Sequence, residues 1–269
     1  MPPLTPHPNA RAYRLPDVWA YLRRPRFTAQ REALDAAALT HLILLVGATV
    51  LGVIILTPLI GGIVIGVMGE LPDNSVANID TQTLLLLGMV IAPLWEELAY
   101  RSWLGGPRSV LIGLPALAAV SAGLAAVASP LSSFATLVMM AVLGMLFFQL
   151  ALRVFSAGEA SLAGLRRRSF PLVFWGSALL FGMLHLANYD GGLSHPVLLL
   201  AVLPQFLIGA LLGYVRMRFG LLAAMGFHAA YNGVLIGLMV VLAGIAPEAV
   251  ENSAAVLHIL QPCEASVPC

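Results

Sequence analysis

Three short stretches of the sequence combine side chains that can move protons with side chains that can stabilise negative charge. The residues concerned are Glu96, Glu97, Arg101, His185, His228 and Asn232, and an aromatic residue, Phe181, precedes His185 by four positions. Carboxylates and imidazoles are the usual general acids and bases of enzymes, and amide and imidazole N–H groups can stabilise a developing oxyanion. Together these groups could activate a water molecule, stabilise a developing negative charge and donate a proton, as general acid–base catalysis requires.

Spacing along the chain predicts how the two acids differ. Glu97 and Arg101 are four residues apart, so they can pair along one face of a helix. Glu96 lies about 100° further round that helix and points elsewhere. His228 and Asn232, also four residues apart, share one face of another helix. We therefore expect Glu97 to be neutralised locally and Glu96 to have a different partner.

Long apolar segments must position these residues. A helix that crosses a bilayer needs about 20 mostly apolar residues, and seven segments meet or nearly meet this length. They are 39–68, 82–104, 109–128, 134–153, 171–189, 196–215 and 219–244. The first could break near Pro58, Gly61 and Gly62, which would raise the count to eight. The prediction is an all-α, polytopic transmembrane bundle.

Composition supports the membrane assignment and excludes one class of partner. Of the 269 residues, 59% are hydrophobic and 10% are charged, against about 45–50% and about 25% in soluble domains. The net charge of +1 offers no basic excess for the phosphates of a nucleic acid. We expect three regions: an Arg-rich arm over 1–38, a catalytic bundle over 39–244 and a tail over 245–269.

The arginines predict the orientation of the bundle. Cytoplasmic loops keep an excess of positive charge, and with seven spans and a cytoplasmic N-terminus all 14 arginines fall on the cytoplasmic side. This predicts an integral protein of a bacterial inner membrane, with an exterior or periplasmic tail. Cys263 and Cys269 lie in that tail, where a disulfide could persist, and the sequence leaves open whether one forms.

The arm mixes aromatic residues with arginines. They are Trp19, Tyr21, Phe27, Arg23, Arg24 and Arg26. This composition is typical of a segment that lies at the lipid headgroups, with its rings buried and its guanidinium groups on phosphates. The alternative, an arm that docks on a protein, has no supporting residue pattern.

Ionisable residues inside a membrane are costly unless paired, so each one indicates a functional site. With a rise of about 1.5 Å per residue, Glu96, His228 and Asn232 can lie in the cytoplasmic half of the bilayer and His185 near its midplane. The three helices can therefore bring these side chains into one polar cavity.

The motifs Glu-Glu-x-x-x-Arg from Glu96 to Arg101, Phe-x-x-x-His from Phe181 to His185 and His-x-x-x-Asn from His228 to Asn232 occur in order on separate helices. In this they resemble the CAAX protease and bacteriocin-processing (CPBP or Abi) family, which contains the Ras-converting prenyl-protein endopeptidase. The resemblance covers residues 82–244 approximately. It implies an intramembrane endopeptidase of the CAAX prenyl protease 2 type.

The resemblance and the chemistry of the residues assign a role to each motif. Glu96 would be the general base and His185 would help to hold the water. His228 and Asn232 would donate hydrogen bonds to the oxyanion. Glu97 and Arg101, with Phe181, would give structural support.

The sequence leaves metal dependence open. Glu96, His185 and His228 form a plausible first shell for Zn²⁺ with one position left for water, as in a metalloprotease, and the same residues suffice for a metal-free glutamate mechanism. The His-Glu-x-x-His helix of site-2 metalloproteases is absent from the sequence, and so is the Gly-x-Ser-x-Gly of serine hydrolases.

Two other functions compete with proteolysis. A proton-coupled transporter also uses intramembrane acids and histidines, but the sequence shows none of the repeated halves expected of one. A non-catalytic scaffold could use the polar cluster for helix association alone. As partners we expect membrane lipids and a peptide or protein substrate that enters from the cytoplasmic side or the bilayer. The sequence does not identify the substrate or show whether it carries a prenylated CAAX motif. It does not give the oligomeric state either.

Overall fold

The computed structural model describes residues 15–28, 31–74, 76, 79–105, 159–189 and 195–245. Within these ranges the secondary structure is helical, apart from one isolated β-bridge between Asn74 and Tyr189. The helices, labelled in chain order, are α1 (Leu15–Arg23), α2 (Ala36–Met68), α3 (Thr81–Leu86), α4 (Ala92–Arg101), α5 (Glu159–Leu184), α6 (Leu198–Ala201), α7 (Leu203–Phe219) and α8 (Leu221–Ile245).

Five helical stretches of the described residues are long and apolar enough to cross a membrane. They are Ala36–Met68, Thr81–Arg101, Arg168–Asn188, Leu198–Phe219 and Leu221–Leu242. These stretches confirm the all-helical class and correspond to five of the predicted spans. The predicted spans at 109–128 and 134–153 lie outside the described residues, as does the tail beyond residue 245.

The first span is one continuous helix of 33 residues, so the break considered near Pro58 does not occur. Its N-terminus is capped by Asp35, whose carboxylate accepts the N–H of Ala38 at 2.8 Å. It ends at Gly69, whose φ of 86° is in the left-handed region that glycine adopts without steric cost. At 1.5 Å per residue the helix is about 50 Å long, so it extends beyond a hydrocarbon core of about 30 Å.

α5 and α7 pack closely because small residues alternate with aromatic rings along their contact. A Cβ at Gly182 of α5 would lie 3.0 Å from the backbone N of Phe206, and one at Gly213 of α7 would lie 2.6 Å from the Phe174 ring. A Cβ at Gly209 would lie 3.1 Å from Phe181. Small residues at a helix crossing allow the backbones to approach.

Gly220 differs from these three glycines. Among the described residues no atom beyond its chain neighbours lies within 4 Å of a Cβ built at Gly220, but its φ is 108°. The residue ends α7 and starts the sharp connection to α8, where a positive φ requires glycine. The backbone conformation, rather than a helix contact, explains this glycine.

The N-terminal arm folds onto the bundle beside α5 and α7. The Tyr21 ring lies edge-on to those of Phe174 and Tyr214, with centroids 5.7 and 5.4 Å away. Further along, Arg31 donates from Nη1 to the carbonyls of Arg216 and Met217 at 2.9 and 2.8 Å. The Arg216 carbonyl also accepts the N–H of Gly220 at 3.2 Å, so Arg31 is an additional donor at the C-terminal end of α7, where a basic side chain opposes the helix dipole.

The glycine contacts predict that Gly182→Ala destabilises the bundle, because the new methyl group would meet backbone atoms of Phe206 that cannot rotate away. We expect a loss of about 1–3 kcal/mol in the free energy of unfolding, as for other overpacked cores. The control is Gly237→Ala, a helical position with open space around its Cβ, which should be neutral or stabilising. Thermal unfolding in detergent measures both, and equal midpoints would contradict the prediction.

Candidate active site

The second span carries both acids, and its local structure follows from two residues. Asp80 starts the span by accepting the backbone N–H of Thr83 at 3.0 Å, and this hydrogen bond holds the pKa of Asp80 below its ordinary value. Pro93 has no N–H to donate. Just before it, residues Leu87–Ile91 form a π-helical turn between α3 and α4.

The π-helical turn accounts for the position of Asn232. The N–H of Ala92 bonds to the carbonyl of Leu87, so the corresponding partner of the Gly88 carbonyl would be Pro93, which lacks a donor. Asn232 of α8 supplies the missing donor, from Nδ2 to Gly88 O at 2.7 Å. One amide N–H of Asn232 is therefore used to hold α8 against the second span, and the second remains for other chemistry.

Glu97 and Arg101 form the buried ion pair that their spacing predicted. Arg101 Nη1 lies 3.2 Å from Glu97 Oε1, and both side chains have no solvent-exposed surface. Arg101 also donates to the carbonyl of Gly209 on α7 at 3.3 Å, and its guanidinium lies 4.0 Å from the centre of the Phe181 ring. Within the described residues, Glu97 Oε2 has no hydrogen-bond partner.

His228 of α8 contacts both acids. Its Nδ1 lies 3.1 Å from Glu97 Oε1 and its Nε2 lies 3.7 Å from Glu96 Oε2. Because a carboxylate paired with arginine can only accept, Nδ1 must carry the proton. In the neutral ring Nε2 is then an acceptor, and it faces Glu96.

The two adjacent glutamates have different environments. The Glu97 side chain is completely buried and fixed by two partners, whereas that of Glu96 is 17% exposed and its nearest ionic partner is 3.7 Å away. A carboxylate that is fixed on both sides positions its neighbours, while one that is accessible and loosely held can exchange a proton with a bound molecule. Glu96 is therefore the acid of this pair that is available for chemistry.

His185 joins the cluster through the Phe181 ring. Its Nδ1 lies 2.8 Å from the Phe181 carbonyl, which only accepts, so the neutral ring presents Nε2 as an acceptor. The His185 and His228 rings lie 4.9 and 5.8 Å from the Phe181 ring, centroid to centroid. His185 also interacts electrostatically with Glu96 and His228.

All seven residues predicted from the motifs thus lie in one region of the bundle. Glu96, Glu97, Arg101 and His228 are in direct polar contact, and Phe181 contacts Arg101 and both histidines. Asn232 is one turn from His228 on α8, but its described hydrogen bond is to Gly88 rather than to an acid.

Arg216 is an important residue that the motifs do not contain. Its side chain is buried, and it donates from Nε to the Arg101 carbonyl at 2.9 Å and from Nη2 to the Ser102 carbonyl at 3.2 Å. A cation at the C-terminus of a helix satisfies its last carbonyls and opposes the helix dipole. Arg216 therefore holds the end of α4 that carries the ion pair, although the sequence suggested only a loop arginine on the cytoplasmic side.

A hydrogen bond from α5 also holds α4 in place. Ser177 of α5 is buried and donates from Oγ to the Tyr100 carbonyl at 2.6 Å. The Tyr100 ring packs edge-on against Phe181, with centroids 5.7 Å apart. Because serine occurs in many helix contacts, nothing in its sequence context distinguished this one.

The residues considered for Zn²⁺ do not form a metal site in the described part of the chain. No group of three or more His, Cys, Asp or Glu side chains there is placed to hold a metal ion. Glu97 and the Nδ1 atoms of His185 and His228 are engaged by other groups. The participation of Zn²⁺ stays a prediction from the sequence.

These residues define an all-helical membrane protein with a buried site of two glutamates and two histidines. The model of the family described as type II CAAX prenyl endopeptidase, Rce1-like, matches residues 79–234, more than half of the chain. The chain belongs to this family, which makes it a membrane-embedded protease of the CAAX type. Neither the curated proteins nor the solved structures compared with it include a match.

The contacts of Arg216 predict the effect of removing it. Arg216→Met would leave the Arg101 and Ser102 carbonyls buried without their donor, so we expect a loss of about 1–3 kcal/mol in the free energy of unfolding. The matched control is Arg24→Met, which removes an exposed arginine and should have little effect. Chemical or thermal unfolding of both variants in detergent is the measurement, and an unchanged Arg216→Met midpoint would refute the capping role.

Proposed function

We propose that this protein is an intramembrane endopeptidase in which Glu96 is the general base, His185 helps to hold the attacking water, and His228 and Asn232 stabilise the oxyanion. The observation that carries the proposal is the difference between the two adjacent acids. Glu97 is buried and held by Arg101 and His228, whereas Glu96 is partly exposed beside His228 Nε2.

In the proposed first step, water attacks the carbonyl carbon of the scissile peptide bond. Glu96 takes one proton of the water while the new C–O bond forms and the carbonyl π electrons move onto oxygen. Nε2 of the neutral His185 ring is an acceptor, so it can bind the second hydrogen of the water. Positioning of this kind lowers the barrier because the water no longer has to be ordered during the reaction.

The proton then passes from Glu96 to Nε2 of His228, which begins 3.7 Å away. The resulting imidazolium keeps Nδ1–H on Glu97 and offers Nε2–H to the oxyanion. His228 thus becomes a donor to the oxyanion of the tetrahedral intermediate once the proton has reached Nε2. The second N–H of Asn232, one turn along α8, is the other proposed donor, and such preorganised donors give large rate effects.

The tetrahedral intermediate collapses when the C–N bond breaks and the departing nitrogen takes the proton from His228. The products are a carboxylic acid and an amine, and Glu96 and His228 return to their starting states. Glu97 acts as a positioning residue, because its carboxylate fixes the His228 tautomer much as the acid of a serine protease triad fixes its histidine. Arg101 holds Glu97 in turn.

We propose that the substrate is a peptide or protein. It reaches the site from the cytoplasmic side or from the bilayer of a bacterial inner membrane. The exposed arginines of the arm and the polar contacts at the C-terminal ends of α4 and α7 lie at one end of the bundle, and positive charge favours the cytoplasmic side. Membership of a protease family does not favour the transporter or scaffold alternatives.

The central test is Glu96→Gln, measured as cleavage of a fluorogenic peptide library by the purified protein in detergent. The amide keeps the size of the side chain but cannot take a proton, so we expect kcat to fall by about 100- to 10,000-fold, the usual contribution of a general base. The folded state should persist, because the buried ion pair lies on Glu97.

Glu32→Gln is the matched control. Glu32 is also a glutamate paired at 3.0 Å with a basic residue, Arg218, but it lies in the arm. This variant should cleave peptides like the wild type. If Glu96→Gln retained wild-type cleavage, or if both variants lost activity equally, Glu96 would not be the base.

Metal removal tests whether the reaction depends on a metal ion. We propose a metal-free reaction and expect extensive chelation to leave kcat unchanged; the support is that no group of three or more His, Cys, Asp or Glu side chains is placed to hold a metal ion among the described residues. The control is the same sample after Zn²⁺ is added back. Loss of activity on chelation with recovery on Zn²⁺ addition would establish a metalloprotease and overturn this part of the proposal.

A further inference from the structure

A groove of about 290 Å³ runs between α1, α5 and α7, away from the candidate active site. Its walls include Trp19, Leu22 and Arg23 of α1, Trp175 of α5, and Leu207 and Leu211 of α7. Nearly all of this lining is apolar. The only formal charge among these residues is that of Arg23, whose side chain is exposed.

Two pairs of aromatic rings fix how the arm lies along α5. Phe27 packs against Phe170 at 5.9 Å and Tyr21 packs against Phe174 at 5.7 Å, centroid to centroid. The arm therefore runs antiparallel to α5, so residues that precede Phe27 in the arm lie beside residues that follow Phe170 in α5. Arg23 therefore lies beside the part of α5 between Phe170 and Phe174, and Trp19 lies further along α5, towards Trp175.

Helical periodicity places a second exposed arginine of α5 on the same side of the helix as Trp175. Arg168 precedes Trp175 by seven residues, which is within about 20° of two helical turns, so the two residues lie on the same face. Arg168 is exposed, and Leu172 between them is also exposed on that side. The groove therefore has an apolar floor with tryptophans and an arginine of α1 in its wall, and a second exposed arginine lies two turns from Trp175 on the same face of α5.

We infer that this groove binds one anionic phospholipid, with an acyl chain in the apolar groove and the phosphate at Arg23 and Arg168. A guanidinium can bind a phosphate through two parallel N–H groups, and tryptophan favours the boundary between headgroups and acyl chains. Net negative charge is required, because the cation of a zwitterionic headgroup would be repelled by the two arginines. The inference does not depend on the proposed catalytic mechanism.

The experiment uses the tryptophans of the groove as reporters. Replacing Trp95 and Trp103 by Phe leaves Trp19 and Trp175 as the only tryptophans among the four in the chain. The full-length protein in detergent is titrated with phosphatidylglycerol brominated on its acyl chains, which quenches tryptophan on contact. Brominated phosphatidylcholine and free glycerophosphate, as a competitor, are the parallel titrations.

We expect saturable quenching by phosphatidylglycerol, markedly weaker quenching by phosphatidylcholine and no displacement by glycerophosphate. Arg23→Gln should weaken phosphatidylglycerol binding by about fivefold, the effect of one basic residue at an anionic lipid surface. Arg24→Gln is the matched control, since Arg24 is adjacent and exposed but does not line the groove. A second variant, Leu207→Phe, should weaken quenching by both lipids because the larger ring fills the groove.

Several results would overturn the inference. Equal quenching by the two lipids would indicate nonspecific solvation by lipid, and equal effects of Arg23→Gln and Arg24→Gln would indicate general attraction to the basic arm. Displacement by glycerophosphate would show a site for the phosphate group alone. Unchanged unfolding midpoints of the variants confirm that a loss of binding is not a loss of fold.

Discussion

The buried ion pair of Glu97 and Arg101 is the interaction on which the rest of the site depends. Both side chains are fully buried, 3.2 Å apart, and a charge left unpaired at such a position costs about 3–5 kcal/mol. The pair is therefore held from several directions, by His228 on α8, by the Gly209 carbonyl on α7 and by the Phe181 ring on α5. One ion pair thus ties four helices together around Glu96.

The two adjacent glutamates have different environments, which suit one to a structural role and the other to a chemical role. Glu97 has its charge compensated and its position fixed, which keeps His228 in one orientation and one tautomer. Glu96, one residue earlier, lies 3.7 Å from His228 Nε2 and retains partial access to solvent. A helix rotates about 100° per residue, so adjacent acids necessarily enter different environments, and the bundle uses this rotation to leave one of them available.

Backbone groups without partners explain most of the supporting contacts. Pro93 deprives the Gly88 carbonyl of a donor, and Asn232 supplies one. Arg216 donates to carbonyls at the end of α4, and Arg31 donates to carbonyls at the end of α7. Inside a membrane every such group needs a partner. These contacts form a continuous series from the N-terminal arm through α7 and α4 to the active site.

The sequence by itself determined the helical membrane class, the family resemblance and the pairing of Glu97 with Arg101. These features depend on composition and on spacing within one helix, where the geometry is fixed by 3.6 residues per turn. Only the tertiary structure placed His228 between the two acids, assigned Asn232 to Gly88 and made Arg216 a helix cap. Each of these contacts joins residues more than 100 positions apart, and helix packing, which no local spacing records, decides which distant side chains meet.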